Sequence, residues 1–573
     1  MISRNFAMTC AALALTACAA TPPAEDAPAD TAPLEFSSPS AALNYHLLMG
    51  EIAMSREQFD EAADAYLAAM PLADDAGVAE RAAQLTLHAG RLDDARSAAA
   101  RWRALEPAAS GPSEVELVVA LRADDAQLAY RHAEELLERW HAPHEAAFQG
   151  LGRLLVDEAE LDPSIQLMQR LTERYNVAPA WQVLGLLALR AEKHAIARTA
   201  AERARLLDPE SPQAALLEAR VLVTMGEGER GLALMRATVA EHPDDPTLRF
   251  ALAGLYLALQ DYTDATNELE QVVAQAPAYT DARWMLAMVL LQTGEVDGAE
   301  QHLRELLADP VRRWDVPYYL GGVYESREDW DAALEWFDQV EWGDNLLNAR
   351  IKAVQMLWLL GREDDARTRL GHMQADFPRQ SARLHRVEAE LLNRAGRPTD
   401  AIAVYDRALL HAPDDVSLLY ARALQHERVG DFDAAVADLR RVYTLDPDNA
   451  VAQNALGYLL ADHGEPSDWD EARALIALAV AQEPTNAAFL DSMGWVLYRL
   501  GDLEAARDWL LRSWQAQRDA EVGAHLGEVF WHLDQREAAR EVWLDALRLD
   551  AEHPDLIETL ERLEADVRGH DRP

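Results

Sequence analysis

Apolar and small positions in this chain return every 34 residues. A Gly or Ala stands eight residues into the repeating stretch and an Ala or Gly stands twelve further on. Gly185 is followed by Ala197, and the pair returns as Ala219 and Gly231, Ala253 and Ala265, Ala287 and Ala299, then Gly321 and Ala333. Two helices of about 13 residues and two short turns consume about 34 residues. Each stretch therefore predicts a helical hairpin, helix A then helix B. Small side chains at those two places let the helices pack closely, since a larger one would hold their axes apart. Pro209, Pro243, Pro277, Pro413, Pro447 and Pro484 close their stretches, because Pro cannot continue helix B.

Length, spacing and residue types together resemble the tetratricopeptide repeat. The unit from Ala178 supplies Trp181, Leu184, Gly185, Ala197, Ala204 and Pro209. The unit from Trp314 supplies Leu320, Gly321, Tyr324, Ala333 and Phe337. The unit from Ala382 supplies Ala389, Gly396, Ala401, Tyr405, Ala408 and Pro413. Weaker matches extend the register backwards to units near Leu43, Ala76, Ser110 and His144. Further units begin near Asn348, Val416, Ala450, Ala487 and Ala520, with an insertion around Pro466. The resemblance implies an all-α fold: a right-handed α-solenoid of about fifteen units, degenerate over 41–177 and regular over 178–553. The stretch 554–573 holds a capping helix, Asp555 to Val567, which covers the last apolar face.

The first residues read as a targeting segment. Arg4 is followed by the apolar Phe6 to Leu15, too short to span a bilayer, and then by Leu15-Thr16-Ala17-Cys18. These residues resemble the bacterial lipoprotein signal, which implies that residues 1–18 carry it and that Cys18 is lipidated. An ordinary secretory leader is the alternative. With Ala19 after the Cys, the resemblance implies the outer membrane, facing the periplasm. Residues 19–40 are rich in Pro, Ala and Asp and lack periodicity. They predict a disordered tether.

The chain has only two cysteines, Cys10 inside the leader and Cys18, so no disulfide is expected. A formal net charge of −45 argues against a nucleic-acid role and against electrostatic adhesion to anionic lipid. Lys193 and Lys352 are the only lysines. This acidic bias fits either a salt-adapted host or a solvated face that keeps a long solenoid soluble.

Motifs for catalysis and cofactors do not survive their context. Gly226-x-Gly228-x-x-Gly231 has dinucleotide-fingerprint spacing, but a helix precedes it where a strand is required. His141 and His144 are separated by Pro143, which breaks the helix that could align them on a metal. No catalytic residue, cofactor, metal site or small-molecule substrate is expected, and the chain reads as a binding protein, not an enzyme.

In this fold, helix A lines the inner face, and its positions 2, 5, 9, 12 and 13 point into the groove. Two candidate partner surfaces follow. One comprises Asn454, Tyr458, Asp491, Trp495, Tyr498 and Arg499, where aromatic area beside amide and charged groups suits peptide capture. The other is basic: Arg383, Arg386, Arg394 and Arg428, suited to a carboxylate or acidic segment. Packing between units is the alternative for the aromatics. For the arginines it is solvation, or pairing with Glu388, Glu390 or Glu427. Trp181, Trp284, Trp358 and Tyr420 are expected to pack. The Lys and Asn clamp of chaperone-tail-binding repeat proteins is not matched, since Met356 stands where Asn is wanted after Lys352.

Residues 454–462 (NALGYLLAD), 491–501 (DSMGWVLYRLG) and 524–531 (AHLGEVFW) go beyond the general repeat. They resemble outer-membrane lipoproteins with many such repeats that act as adaptors for a periplasmic carboxyl-terminal processing protease. The resemblance implies a scaffold that recruits the protease and its cell-wall hydrolase substrates. An assembly lipoprotein of an envelope secretion complex, for exopolysaccharide or pilus, is the second expectation.

Overall fold

The computed structural model describes residues 36–56, 58–140, 144–158 and 160–563. The leader, Cys18, most of the tether, His141, Pro143 and the stretch from Glu564 lie outside the described residues. Regular structure among the described residues is entirely helical. Thirty of the thirty-one α-helices form fifteen successive hairpins, and Pro554–Arg562 follows them. The fold is an all-α succession of helical hairpins, as the 34-residue period predicts. No described helix is long and apolar enough to cross a membrane.

The helix starts follow the predicted register. The A helices begin at Pro39, Ala76, Gly111, His144, Ala178, Pro212, Pro246, Thr280, Val316, Leu346, Ser381, Val416, Ala450, Ala487 and Ala520. Capping explains several of these points. Ser211, Asp245, Asp415, Asn449, Asn486 and Asp519 each accept a hydrogen bond from a backbone N–H of the first turn, satisfying donors that the helix leaves unpaired. The closing prolines fall just past the ends of B helices, as at Pro209 after Leu207 and Pro484 after Gln482.

The chain divides into two compact units, 1–309 and 310–573. In each, the core is a succession of clusters formed by neighbouring hairpins. In the first, Ala82, Ala83, Ala95 and Ala98 centre one cluster, and Leu151, Leu155, Met168 and Leu171 centre another. In the second, Ala353, Val354 and Leu370 give way to Ala401 and Val404, then to Leu456 and Ile476, then to Leu510 and Trp543. Trp181, Trp358 and Tyr420 pack against these clusters as expected, and Trp358 touches two of them. Trp284 is half-buried.

The small residues do what their spacing implies, against two kinds of neighbour. A Cβ on Gly231 would lie 2.8 Å from the Ala219 carbonyl oxygen, so this pair is in backbone contact. Gly457, Gly494 and Gly527 admit Ile476, Leu510 and Trp543 of their own B helices. Gly185 instead admits Leu217 of the next unit's A helix. Gly226, with φ of +81°, makes the turn between helices, and Gly231 lies inside a B helix. Their spacing is that of the repeat.

Candidate functional site

Four consecutive A helices of the second unit line a cleft of about 590 Å³, and helix Pro554–Arg562 closes one side. Glu427 comes from Val416–Arg428. Tyr458 and Asp462 come from Ala450–Asp462, with His463 just beyond. Trp495, Tyr498 and Arg499 come from Ala487–Arg499, and Glu521, His525 and Glu528 from Ala520–His532. The closing helix adds Asp555, Glu558, Thr559 and Arg562.

The aromatic wall is held from behind. Trp495 is only 7% exposed. Its ring stacks on Tyr498 at 4.9 Å and on His525 at 4.1 Å, and its indole N–H donates to Asp462 Oδ1 at 2.9 Å. The Tyr458 hydroxyl donates to Glu521 Oε1 at 2.8 Å, and the Tyr498 hydroxyl to Glu528 Oε1 at 2.7 Å. Burial, then the adjacent carboxylates, pushes both phenols above their ordinary range. Both therefore remain donors at neutral pH.

Asp491 is buried beneath the wall, and its two oxygens lie 3.1 Å from His525 Nδ1. Burial alone would lower the imidazole. Asp491, with Glu521 and Asp462, outweighs burial and raises it to about 9. His525 is therefore a cation at neutral pH. Arg499 donates to the Asp462 backbone carbonyl at 2.8 Å, approaches its carboxylate at 3.5 Å and lies over the Trp469 ring. Arg562 reaches Glu528 Oε2 at 2.6 Å.

Of the predicted aromatic surface, Tyr458, Trp495, Tyr498 and Arg499 meet at the cleft, and Asp491 supports them. Asn454 sits one turn before Tyr458, with its Oδ1 buried and unpartnered among the described residues. The basic surface is looser. Arg383 donates to Asn348 Oδ1 at 2.8 Å, and Arg394 pairs with Glu390 at 3.0 Å. Arg386 and Arg428 are exposed and both act on the buried Tyr405 hydroxyl, which burial pushes up to about 12. Glu388 pairs with Arg407 instead of with this group.

The cleft carboxylates went unrecognised in the sequence, yet the groove rule reaches four of them. Glu427 and Asp462 occupy positions 12 and 13 of their units, and Glu521 and Glu528 positions 2 and 9 of theirs. Their signal is lost among 98 acidic residues. His525, at position 6, falls outside the rule. Glu521, His553 and Asp555 also bring one ligand atom each to within 4.8 Å of one another, a set with the chemistry to hold a divalent cation.

Models described as tetratricopeptide repeat match residues 183–246, 216–265, 256–320, 353–417, 420–487 and 465–521. The chain belongs to the tetratricopeptide repeat family. It is 31% identical over 508 residues to the TPR repeat-containing protein PA4667 of Pseudomonas aeruginosa, across 87% of this chain and 84% of that one. Cellulose synthase 2 operon protein C of Komagataeibacter xylinus is 27% identical over 211 residues, covering 37% of this chain and 16% of that protein. Among solved structures, the APC/C hetero-tetramer Cut9-Hcn1 aligns with 91% of this chain and 96% of that one, at 14% identity and a TM-score of 0.31. Yeast Tom70 aligns with 80% of this chain and 96% of that one, at 16% identity and a TM-score of 0.30.

Proposed function

We propose that this protein is a lipid-anchored periplasmic scaffold of the outer membrane, which holds a segment of a protein partner in the cleft of its second unit. The cleft is the observation that carries the holding role. It combines rigid aromatic walls, fixed by hydrogen bonds, with polar groups that give direction, and such pockets supply most of the energy in protein recognition. The partner we favour is a carboxyl-terminal processing protease, with its cell-wall hydrolase substrates. In support, Tyr458 through Glu528 lie inside the 450–550 stretch that resembles the protease adaptors. Holding protease and substrate together raises their effective concentration without chemistry from the scaffold. The anchor is supported by Leu15 to Cys18.

Affinity capture from envelope extract tests this reading. The unaltered chain should recover a serine protease of the processing type, and Tyr458→Ala with Tyr498→Ala should lose it while helicity is kept. Recovery that is unchanged in the double variant would refute the cleft. Labelling with radioactive palmitate should mark the chain and fail with Cys18→Ser. The likeness to cellulose synthase 2 operon protein C favours a second reading, an assembly factor of a polymer-secretion complex. Capture of secretion components without a protease would select it.

A further inference from the structure

The cleft wall carries more negative charge than its own cations match. Arg499 lies beside Asp462, Arg562 beside Glu528, and His525 beside Asp491. Glu427, Glu521, Asp555 and Glu558 also line the space, and no arginine or lysine among the described residues pairs with any of them. Glu521 receives only the neutral Tyr458 hydroxyl. Glu427 is half-buried and makes no side-chain hydrogen bond or ion pair among the described residues. Glu427 and Glu521 stand 94 positions apart in sequence, yet each is held near the other at one cleft. Burial, then Glu521 and Asp462, pushes Glu427 above the ordinary range, and burial with Asp491 and Asp555 does the same to Glu521 against the opposing pull of His525 and the Tyr458 hydroxyl.

Carboxylates placed together in a half-buried space repel, and such an arrangement is relieved by a bound cation. The phenol rings that line the space favour that occupant too, since the negative face of an aromatic ring attracts guanidinium and ammonium groups. Resting on the peptide-holding reading above, we infer that the cleft recognises an extended peptide segment through an arginine or lysine side chain seated between Glu427 and Glu521. Tyr458 and Tyr498 flank that side chain, and the charge pairs at Asp462 and Glu528 keep the remaining carboxylates in place. A cleft of about 590 Å³ is in the size range of sites that take a few side chains.

The test is to pan a phage-displayed random dodecapeptide library on the full chain and on its Glu427→Gln, Glu521→Gln variant. Selected peptides should carry Arg or Lys at one position, several-fold above its frequency in the library. Replacing that residue by Gln, or using the double variant, should weaken binding about tenfold or more. The variant should keep the parent's helicity, which separates lost binding from lost fold. Selected peptides that are neutral or acidic and bind both proteins equally would overturn the cation preference and leave peptide capture standing. Failure to select any peptide whose binding falls with Tyr498→Ala would overturn both. Calorimetry with calcium or zinc chloride adds a separate arm. Micromolar metal binding that is lost with Glu521→Gln, without selected basic peptides, would make these carboxylates a metal site and overturn the inference.

Discussion

His525 is buried, stacked on Trp495 and bound to Asp491, and its proton is part of the fold. Its folded-state pKa of about 9 lies above the unfolded value near 6.5. The resulting stability is therefore fully present below about pH 6.5 and disappears as pH rises through about 9, on the order of 3 kcal/mol. Denaturant titrations across that window should show the decline, and His525→Gln should flatten it. Asp491, Glu521 and Asp462 are the acids that act on this imidazole. Close approach at glycine gives a second residue-scale prediction. A Cβ at Gly527 would lie 2.1 Å from Nε1 of the fully buried Trp543. Gly527→Ala should cost about 1–3 kcal/mol in urea unfolding. The need for Gly was readable from the repeat, because position 8 is small in unit after unit. His525 was not readable. Position 6 here faces the preceding unit's A helix, and a single His in an apolar run looks the same whether or not an Asp from that unit meets it.

At the scale of elements, the hairpins were legible because three signals coincide: small residues at the crossing, a cap before helix A and a proline after helix B. Asn486, for example, caps Ala487–Arg499 just beyond Pro484. The insertion around Pro466 was also visible. It lengthens the turn between Ala450–Asp462 and Trp469–Gln482 and carries His463, whose ring stacks on Phe432 at 3.5 Å. The cover expected over Asp555 to Val567 is present as Pro554–Arg562, since Leu556 is fully buried against the last hairpin, and its end from Glu564 lies outside the described residues. Its second face could not be foreseen. Asp555, Glu558 and Arg562 matter only because the cleft lies beneath them, and the sequence pattern does not give that distance. Leu556→Ala should remove about 2–5 kcal/mol from the last hairpin. Hydrogen exchange should report faster opening of Ala520–Leu549, while the hairpins near Ala178 stay as protected as before.

At the scale of the molecule, 98 acidic residues face 53 basic ones. Many of the arginines make ion pairs, and those between helices include Arg422 with Asp438 and Arg440 with Glu471. The unmatched remainder repels itself, and salt screens that repulsion over about 10 Å at 0.1 M. Raising sodium chloride from low to moderate concentration should lift the melting temperature. A flat or falling response would show that the pairs outweigh the excess. Because each hairpin touches mainly its neighbours, unfolding should be broad and should differ between probes placed in the two units.

One wall of the cleft follows the last hairpin, and this limits how the array can change. Inserting another hairpin between Ala520–Leu549 and Pro554–Arg562 would still leave every apolar face covered, and the protein would fold. It would also carry Asp555, Glu558 and Arg562 a full repeat away from Tyr498 and Glu528, dismantling the pocket. Duplication at this point would therefore produce a stable protein without the pocket.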